Sequence, residues 1–504
     1  MRIARLPLAA ALWAAVAKTC LAQSVPVAPD PASADGEGPL MPAHAGLKLY
    51  VGQDSQALFR PILVNQFWAK ATDNNPGTAT LDGAGPDDWS ATFGVRRVRV
   101  LLLAELGDRM QAFTQIGINN QTFATGGGSG TGGVGGYGQA KKPQVFVHDA
   151  WAQYRVGYRA KAADGAYAGF PTSLYVGAGL HYYHGISRLS QGGIPTMLLL
   201  DFPIVNFPDI ERGNQFARQF GVYAKGDLRR LHYRLAVNQP FVNDGRPPAR
   251  FGDLDPAAPA PGTRLAVDYP TRNLAYTGYA EWRFGEWEGH TLPFRPMTYV
   301  GAKRLFNVGA GFYAQPGAAA TYEVVDDGLG GATQLDDTHA KRVLSADVYA
   351  EQPGASGDAF TAYLVYYDYD FGPDYYRSFG LLNTAPADPF RGFAGEAVID
   401  GFGNAEPLAG TGGILHTELG YLWPEGLIGR GVRLQTFGAI TRKDLERLGT
   451  ATYRYDVGAN LFLAGHSAKL SAQLALRPQV FARGGGFEAD GYRGELVVQA
   501  QVAL

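Results

Sequence analysis

Cysteine is nearly absent: Cys20 is the only one in the 504-residue sequence. That excludes a disulfide framework and a cysteine-based metal centre. Charge is also scarce. Asp, Glu, Lys and Arg make up 18% of the chain, against about 25% in ordinary soluble domains. The net charge of -2 gives no bulk attraction for nucleic acid. Beyond the N-terminal segment no apolar run approaches the ~18 residues of a membrane-spanning helix, and Val100–Ala104 is typical of the longest. Catalytic signatures are missing too: there is no G-x-S-x-G, no phosphate-binding loop and no H-E-x-x-H. No enzyme and no cofactor are expected. His181 and His184 form H-x-x-H, but residues three apart on a strand leave opposite faces, so they are not expected to share a metal.

What is present begins with a targeting segment. Arg2 and Arg5 precede the apolar Leu6–Ala17, and Cys20-Leu21-Ala22 offers the small residues that a signal peptidase reads. Residues 1–22 are expected to be a signal peptide. Residues 23–56 open with Pro, Ala, Asp and Gly and read as a flexible periplasmic lead-in.

The rest of the chain alternates. In Phe93–Phe123, Val98, Val100 and Leu102 leave one face while Arg97, Arg99 and Leu101 leave the other. After a Gly107-Asp108 turn, Met110, Ala112, Thr114 and Ile116 alternate with Gln111, Phe113, Gln115 and Gly117. Period two marks β-strands, so this is a hairpin with one apolar and one polar face. The pattern recurs as sixteen strands, from Leu58–Lys70 to Tyr492–Leu504. Short turns such as Gly226-Asp227, Pro353–Gly357 and Gly465-His466 are expected at one end. Long connections, among them 124–143 with its Gly126–Gly136 run, 185–213, 239–272, 316–340, 372–412 and 479–491, fall at the other. An even strand count with loops sorted by length predicts an all-β fold, a transmembrane antiparallel β-barrel over 57–504 in the outer membrane of a Gram-negative bacterium. Trp151, Trp282 and Tyr421-Leu422-Trp423 sit near strand ends, where interfacial girdles are expected.

On a closed barrel the Arg-bearing faces point into the lumen, because charge toward lipid costs a few kcal/mol at mid-depth. Arg97, Arg99, Arg155, Arg218 and Arg234 are the expected pore-lining cations, either as a track for anions or paired with Asp149, Glu281 or Asp347. The connection 185–213 is too apolar for a water-exposed loop. Folded inward it would form a constriction, with Arg188, Asp201, Asp209, Glu211 and Arg212 facing the pore. Asp368, Asp370 and Asp374 have oxygen ligands at a spacing compatible with Ca²⁺, although polar residues at a strand end are the more common explanation. The expected partners are outer-membrane lipid and small hydrophilic solutes.

The chain resembles the phosphate-selective porin O and P family. The residues that carry the resemblance are Phe93-Gly94-Val95-Arg96-Arg97-Val98-Arg99 before an apolar strand and a Gly-Asp turn, Asp149-Ala150-Trp151-Ala152-Gln153-Tyr154, Leu174–Gly179 before the long insertion, and Arg218-Gln219-Phe220-Gly221-Val222 with Leu231-His232-Tyr233-Arg234-Leu235. It covers roughly residues 90–460. It implies a sixteen-stranded porin, a homotrimer, passing small anions such as phosphate by passive diffusion. The third long loop departs from that family's Arg- and Lys-lined path, with Arg188 and Arg212 as its only basic residues. Two alternatives stay open: a barrel acting as an enzyme or adhesin through its external loops, and a secreted soluble β-protein.

Overall fold

Alternation becomes a closed sheet in the computed structural model. It describes residues 49–51, 57–76, 78, 88–107, 109–122, 145–158, 172–182, 185–207, 209–210, 213, 217–241, 262–289, 294–325, 332–379, 406–483 and 486–504. Sixteen strands form the wall. In chain order they are β1 (Ala57–Asp73), β2 (Trp89–Leu106), β3 (Met110–Thr122), β4 (Phe146–Tyr158), β5 (Thr172–Tyr182), β6 (Arg218–Leu228), β7 (Leu231–Gln239) and β8 (Ala275–Arg283). Then follow β9 (Leu305–Val325), β10 (Ala332–Pro353), β11 (Ala359–Asp370), β12 (Gly412–Leu422), β13 (Arg433–Leu445), β14 (Ala451–Ala464), β15 (Ala468–Arg483) and β16 (Gly486–Ala503). Each pairs antiparallel with its sequence neighbour, and β16 pairs back onto β1 from Val64↔Ala503 to Thr72↔Glu495. Leu63 and Leu504 exchange backbone hydrogen bonds of 3.0 and 2.9 Å at the end of this seam. Leu49–Val51 adds to β1, Arg264–Asp268 adds to β9, and Tyr376–Phe379 pairs with Glu406–Gly410 as a separate hairpin.

The distribution of polarity is inverted relative to a soluble protein. Val100, Leu102, Val222, Leu235, Val308, Phe312, Leu344, Leu364, Ile440, Val457 and Leu474 are exposed on the outer face. Arg97, Arg99, Gln115, Asn119, Arg218, Arg234, Glu281, Asp347, Glu418 and Asn460, on the inner face, are buried. A water-soluble sheet protein would turn the first set inward. A bilayer rewards this arrangement, because a closed barrel leaves no backbone edge unsatisfied and meets hydrocarbon with an apolar wall. The outward charges Arg442 and Asp444 pair with each other at a strand end, 2.7 Å apart.

Several connections differ from expectation. The turn between β6 and β7 is at Arg229-Arg230, not Gly226-Asp227, and Arg229 takes the left-handed backbone (φ 55°). Residues 316–340 are not one long loop. β9 and β10 run on through most of them, paired as far as Val325↔Ala332. Residues 479–491 likewise extend β15 and β16, paired to Arg483↔Gly486. The expected strand from Met297 begins only at Leu305, and the chain before it folds inward. Trp151 does not join a girdle: it is buried and stacked on Phe113 with centroids 5.2 Å apart. Leu422 is buried too, while Trp282 and Trp423 are exposed on the outside as expected. Residues 1–48, Gly126–Gly136, His184, Glu211 and Arg212 lie outside the described residues.

Candidate functional site

Alternation aims most lumen side chains, but two bulges add to them. Gln66 pairs with Arg97 and Phe67 with Val95, leaving Arg96 as an extra residue in β2. Gln115 pairs with Asp149 and Ile116 with Val147, leaving His148 extra in β4. A bulge re-aims the side chain beside it, so Arg96 and Arg97 are both buried, as are His148 and Asp149. Strict alternation would have sent Arg96 and His148 toward lipid. The run Arg96-Arg97 was the available signal, since two adjacent arginines cannot both avoid hydrocarbon on an unbroken strand.

The predicted cations do not form an unpaired track. Arg97 donates to Gln66 (2.9 Å) and, with Arg96, to Asp201 (2.7 Å each). Arg99 donates to the Ile118 carbonyl (2.6 Å) and to Asn119, and meets the His148 ring nitrogen at 3.3 Å. Arg218 pairs with Asp149 at 3.0 Å, the pairing expected as the alternative to a track, and lies over the Tyr182 ring. Arg234 donates to His232 at 3.0 Å. Arg155 is half-buried, in the inner row of Trp151 and Gln153.

Segment 185–213 starts after β5 and ends before β6, yet it bonds to distant parts of the wall. Ser187 meets Tyr367 at 2.7 Å, and the Arg188 N–H donates to Asp347 at 2.6 Å. Asn460 donates to the Leu198 carbonyl (2.8 Å), Leu200 N–H to Gln473 (3.0 Å), and Gln501 to the Pro195 carbonyl (3.0 Å). Its described charged residues, Arg188, Asp201 and Asp209, do not face open space as expected. Each of these three is held by the wall or by another inward segment, because a buried charge without a counter-charge is costly. Asp201 is fixed by Arg96 and Arg97, and Asp209 by Lys341 at 2.8 Å. Burial pushes the Asp201 carboxyl up, but the Arg96 and Arg97 guanidiniums outweigh it and hold the group at about 2. Gly311 on β9 makes the approach possible: a Cβ there would sit 2.1 Å from the Ile186 carbonyl oxygen.

A second inward segment enters from the opposite end, between β8 and β9. The two meet through Gly193 N–H to the Arg295 carbonyl (2.7 Å) and Arg295 N–H to the Gln191 carbonyl (2.8 Å). Arg188 reaches Glu288 at 2.7 and 3.0 Å and lies 3.6 Å over the Tyr349 ring. Arg295 bridges Glu281 (2.7 Å) and Glu288 (2.8 Å), and Arg283 bridges Glu281 (3.0 Å) and Asp227 (3.2 Å). Three guanidiniums thus meet three carboxylates. Burial would push the Glu288 carboxyl up; Arg188 and Arg295 outweigh it and hold it well below the usual range. The Gly- and Pro-broken sequence of Gly285–Pro296 was the visible sign that this stretch is not wall.

Asp368 and Asp370 point outward near the end of β11 and are exposed, and Asp374 donates its backbone N–H to Glu446 at 3.4 Å. They are not gathered into a site. Among the described residues no group of three or more His, Cys, Asp or Glu is placed to hold a metal.

A closed sixteen-stranded sheet, apolar outside and polar inside, defines a transmembrane β-barrel of the Gram-negative outer membrane. No family model matches the chain. No curated protein matches it either. Among solved structures it is similar to the outer-membrane channel DcaP of Acinetobacter baumannii, with 12% identity and TM-score 0.41 over 91% of this chain and 100% of that one. It is similar to OprB of Pseudomonas putida, with 10% identity and TM-score 0.45 over 88% of this chain and 94% of that one. It is also similar to OmpF of Salmonella typhi, with 8% identity and TM-score 0.44 over 91% and 100%. Likeness at this level carries no functional weight; that falls on the chain's own lumen.

Proposed function

We propose that this barrel is a porin, an outer-membrane channel for passive diffusion of small hydrophilic solutes, with a preference for anions that includes phosphate. The observation that supports it best is the polar inner face, with Arg96, Arg97, Arg99, Arg218 and Arg234 all buried on one side of the lumen. Segment 185–213 acts as the constriction, backed from the other end by 285–304. The barrel works as a homotrimer and catalyses no reaction. The test is single-channel conductance of the detergent-purified protein in planar bilayers, with reversal potentials in salt gradients. Open steps with anion preference, reduced by Arg97→Ala with Arg99→Ala, are expected. Cation preference would remove the anion part, and phosphate permeating no better than chloride would remove phosphate. The native mass of the detergent complex tests the trimer.

One observation favours a second reading. The contacts between 185–196 and the described residues of 285–299 are buried and joined by backbone hydrogen bonds and ion pairs. A lumen sealed there would suit a barrel acting through its external loops, as enzyme or adhesin. A folded, heat-modifiable barrel without conductance is the result that selects it.

A further inference from the structure

A cleft of about 100 Å³ lies inside the barrel, next to the contact of Asp201 with Arg96 and Arg97. Its floor is Leu199–Pro203 with Val205, its roof Glu406–Leu408, and its wall comes from β1 and β13 to β16. The wall carries four cations: Lys70, Lys443, Arg454 and Arg477. Three carboxylates face them, and all three are engaged. Arg454 binds both Asp456 (3.0 Å) and Glu406, while Glu495 is shared by Lys70 (2.7 Å) and Arg477 (3.8 Å). The floor adds Asp201, whose charge is already met by two arginines. Lys443 is 4% exposed and donates to the Pro407 carbonyl; among the described residues no carboxylate lies within ion-pair distance of it. A buried ammonium whose bond is to a neutral carbonyl, in a cleft whose four carboxylates are each held by other cations, is completed by an incoming anion.

The floor and roof narrow the class. Leu199, Phe202, Val205 and Leu408 present apolar surface opposite the charged wall. Inorganic phosphate has no apolar part to bury there and loses much of its hydration on entry. A cleft of this size admits a short chain only. We propose that this cleft is a binding site for a small organic monocarboxylate, its carboxylate on Lys443 and its apolar tail on the floor around Phe202. The inference deepens the channel reading above and rests on its anion preference, because the cleft lies in the same lumen.

Calorimetry on the detergent-solubilised full chain tests it, with butyrate as probe, butan-1-ol and butylammonium as neutral and cationic isosteres, and inorganic phosphate as competitor. Butyrate is expected to bind saturably, about tenfold or more tighter than butan-1-ol, and phosphate to displace it poorly. Lys443→Gln should weaken butyrate by a similar factor, and Lys443→Arg should restore most of it, each judged on heat-modifiable protein. Should the β13 variant not fold, Phe202→Ser, on a segment outside the wall, should erase the preference for butyrate over acetate. Equal binding of butyrate and butan-1-ol, phosphate binding as tightly as butyrate, or unchanged affinity in Lys443→Gln overturns the site. Conductance without butyrate binding overturns the site and leaves the channel. Butyrate binding without conductance overturns the channel and leaves a ligand pocket in a closed barrel.

Discussion

Side-chain parity was readable residue by residue because a strand has only two faces. Arg97, Arg99 and Leu101 were assigned to the inner face of β2 from alternation, and all three are buried there. Arg96 and His148 escaped because a bulge is a local break in the rule, set by the partner strand as much as by its own sequence. The partners of the inward charges were not legible either. Asp201 lies over a hundred positions from Arg96 (|i−j| 105), and only the closed fold brings them together. Two predictions belong here. Asp201 has its pKa held at about 2 against 3.8 when free. The unfolded or detached state therefore takes up the proton first. The stabilisation, about 2 kcal/mol, is complete above pH 3.8 and is lost as pH falls from 3.8 through about 2. Protease protection of segment 185–213 should fall in that window, and Asp201→Asn should remove the pH dependence and weaken protection at neutral pH. Gly311→Val places a side chain where the Ile186 carbonyl lies. It should displace the segment and raise conductance while heat-modifiability is kept.

Among the elements, all sixteen strands were placed by their period, but β9 begins at Leu305 rather than Met297, and β9, β10, β15 and β16 run well past their expected ends. The hardest element to read was Gly285–Arg304. Its apolar residues, such as Met297 and Tyr299, imitate strand content, and nothing local says that they pack inside the barrel. Its meeting with the first inward segment rests on charges that are costly to separate. Arg188→Met should destabilise the protein by ~3–5 kcal/mol, the range for breaking a buried ion pair. Arg188→Met with Glu288→Gln should cost less than the two single changes together, by at least ~1 kcal/mol. Equilibrium unfolding in lipid vesicles measures this cycle. Additive costs would mean that the two groups stabilise the protein independently.

For the whole molecule, what decides the environment is which face of the sheet is apolar. Leu364 is at the middle of β11 and exposed. Leu364→Lys is expected to cost ~2–4 kcal/mol of folding free energy in a bilayer, measured by reversible unfolding in vesicles. The same change in a soluble sandwich, with that face in water, would be nearly neutral. This global property was legible early because it is an average over many residues. The position of each inner contact is not an average, and the sequence carries it only through the final geometry.

The seam between β1 and β16 has a further consequence, in time rather than in space. It joins residues such as Gln66 and Gln501, which are 435 positions apart, so among the described residues the ring closes on its most distant strand pairing. Until then two strand edges stand open in hydrocarbon, which makes closure and insertion a single cooperative event. The two inward segments are tied to opposite rims, and the space in which they meet is bounded only after that event. Their pairing at Gly193 and Arg295 is thus a late step in the biogenesis of the barrel. Refolding followed in time should show resistance to heat first and full protease protection of residues 185–213 afterwards.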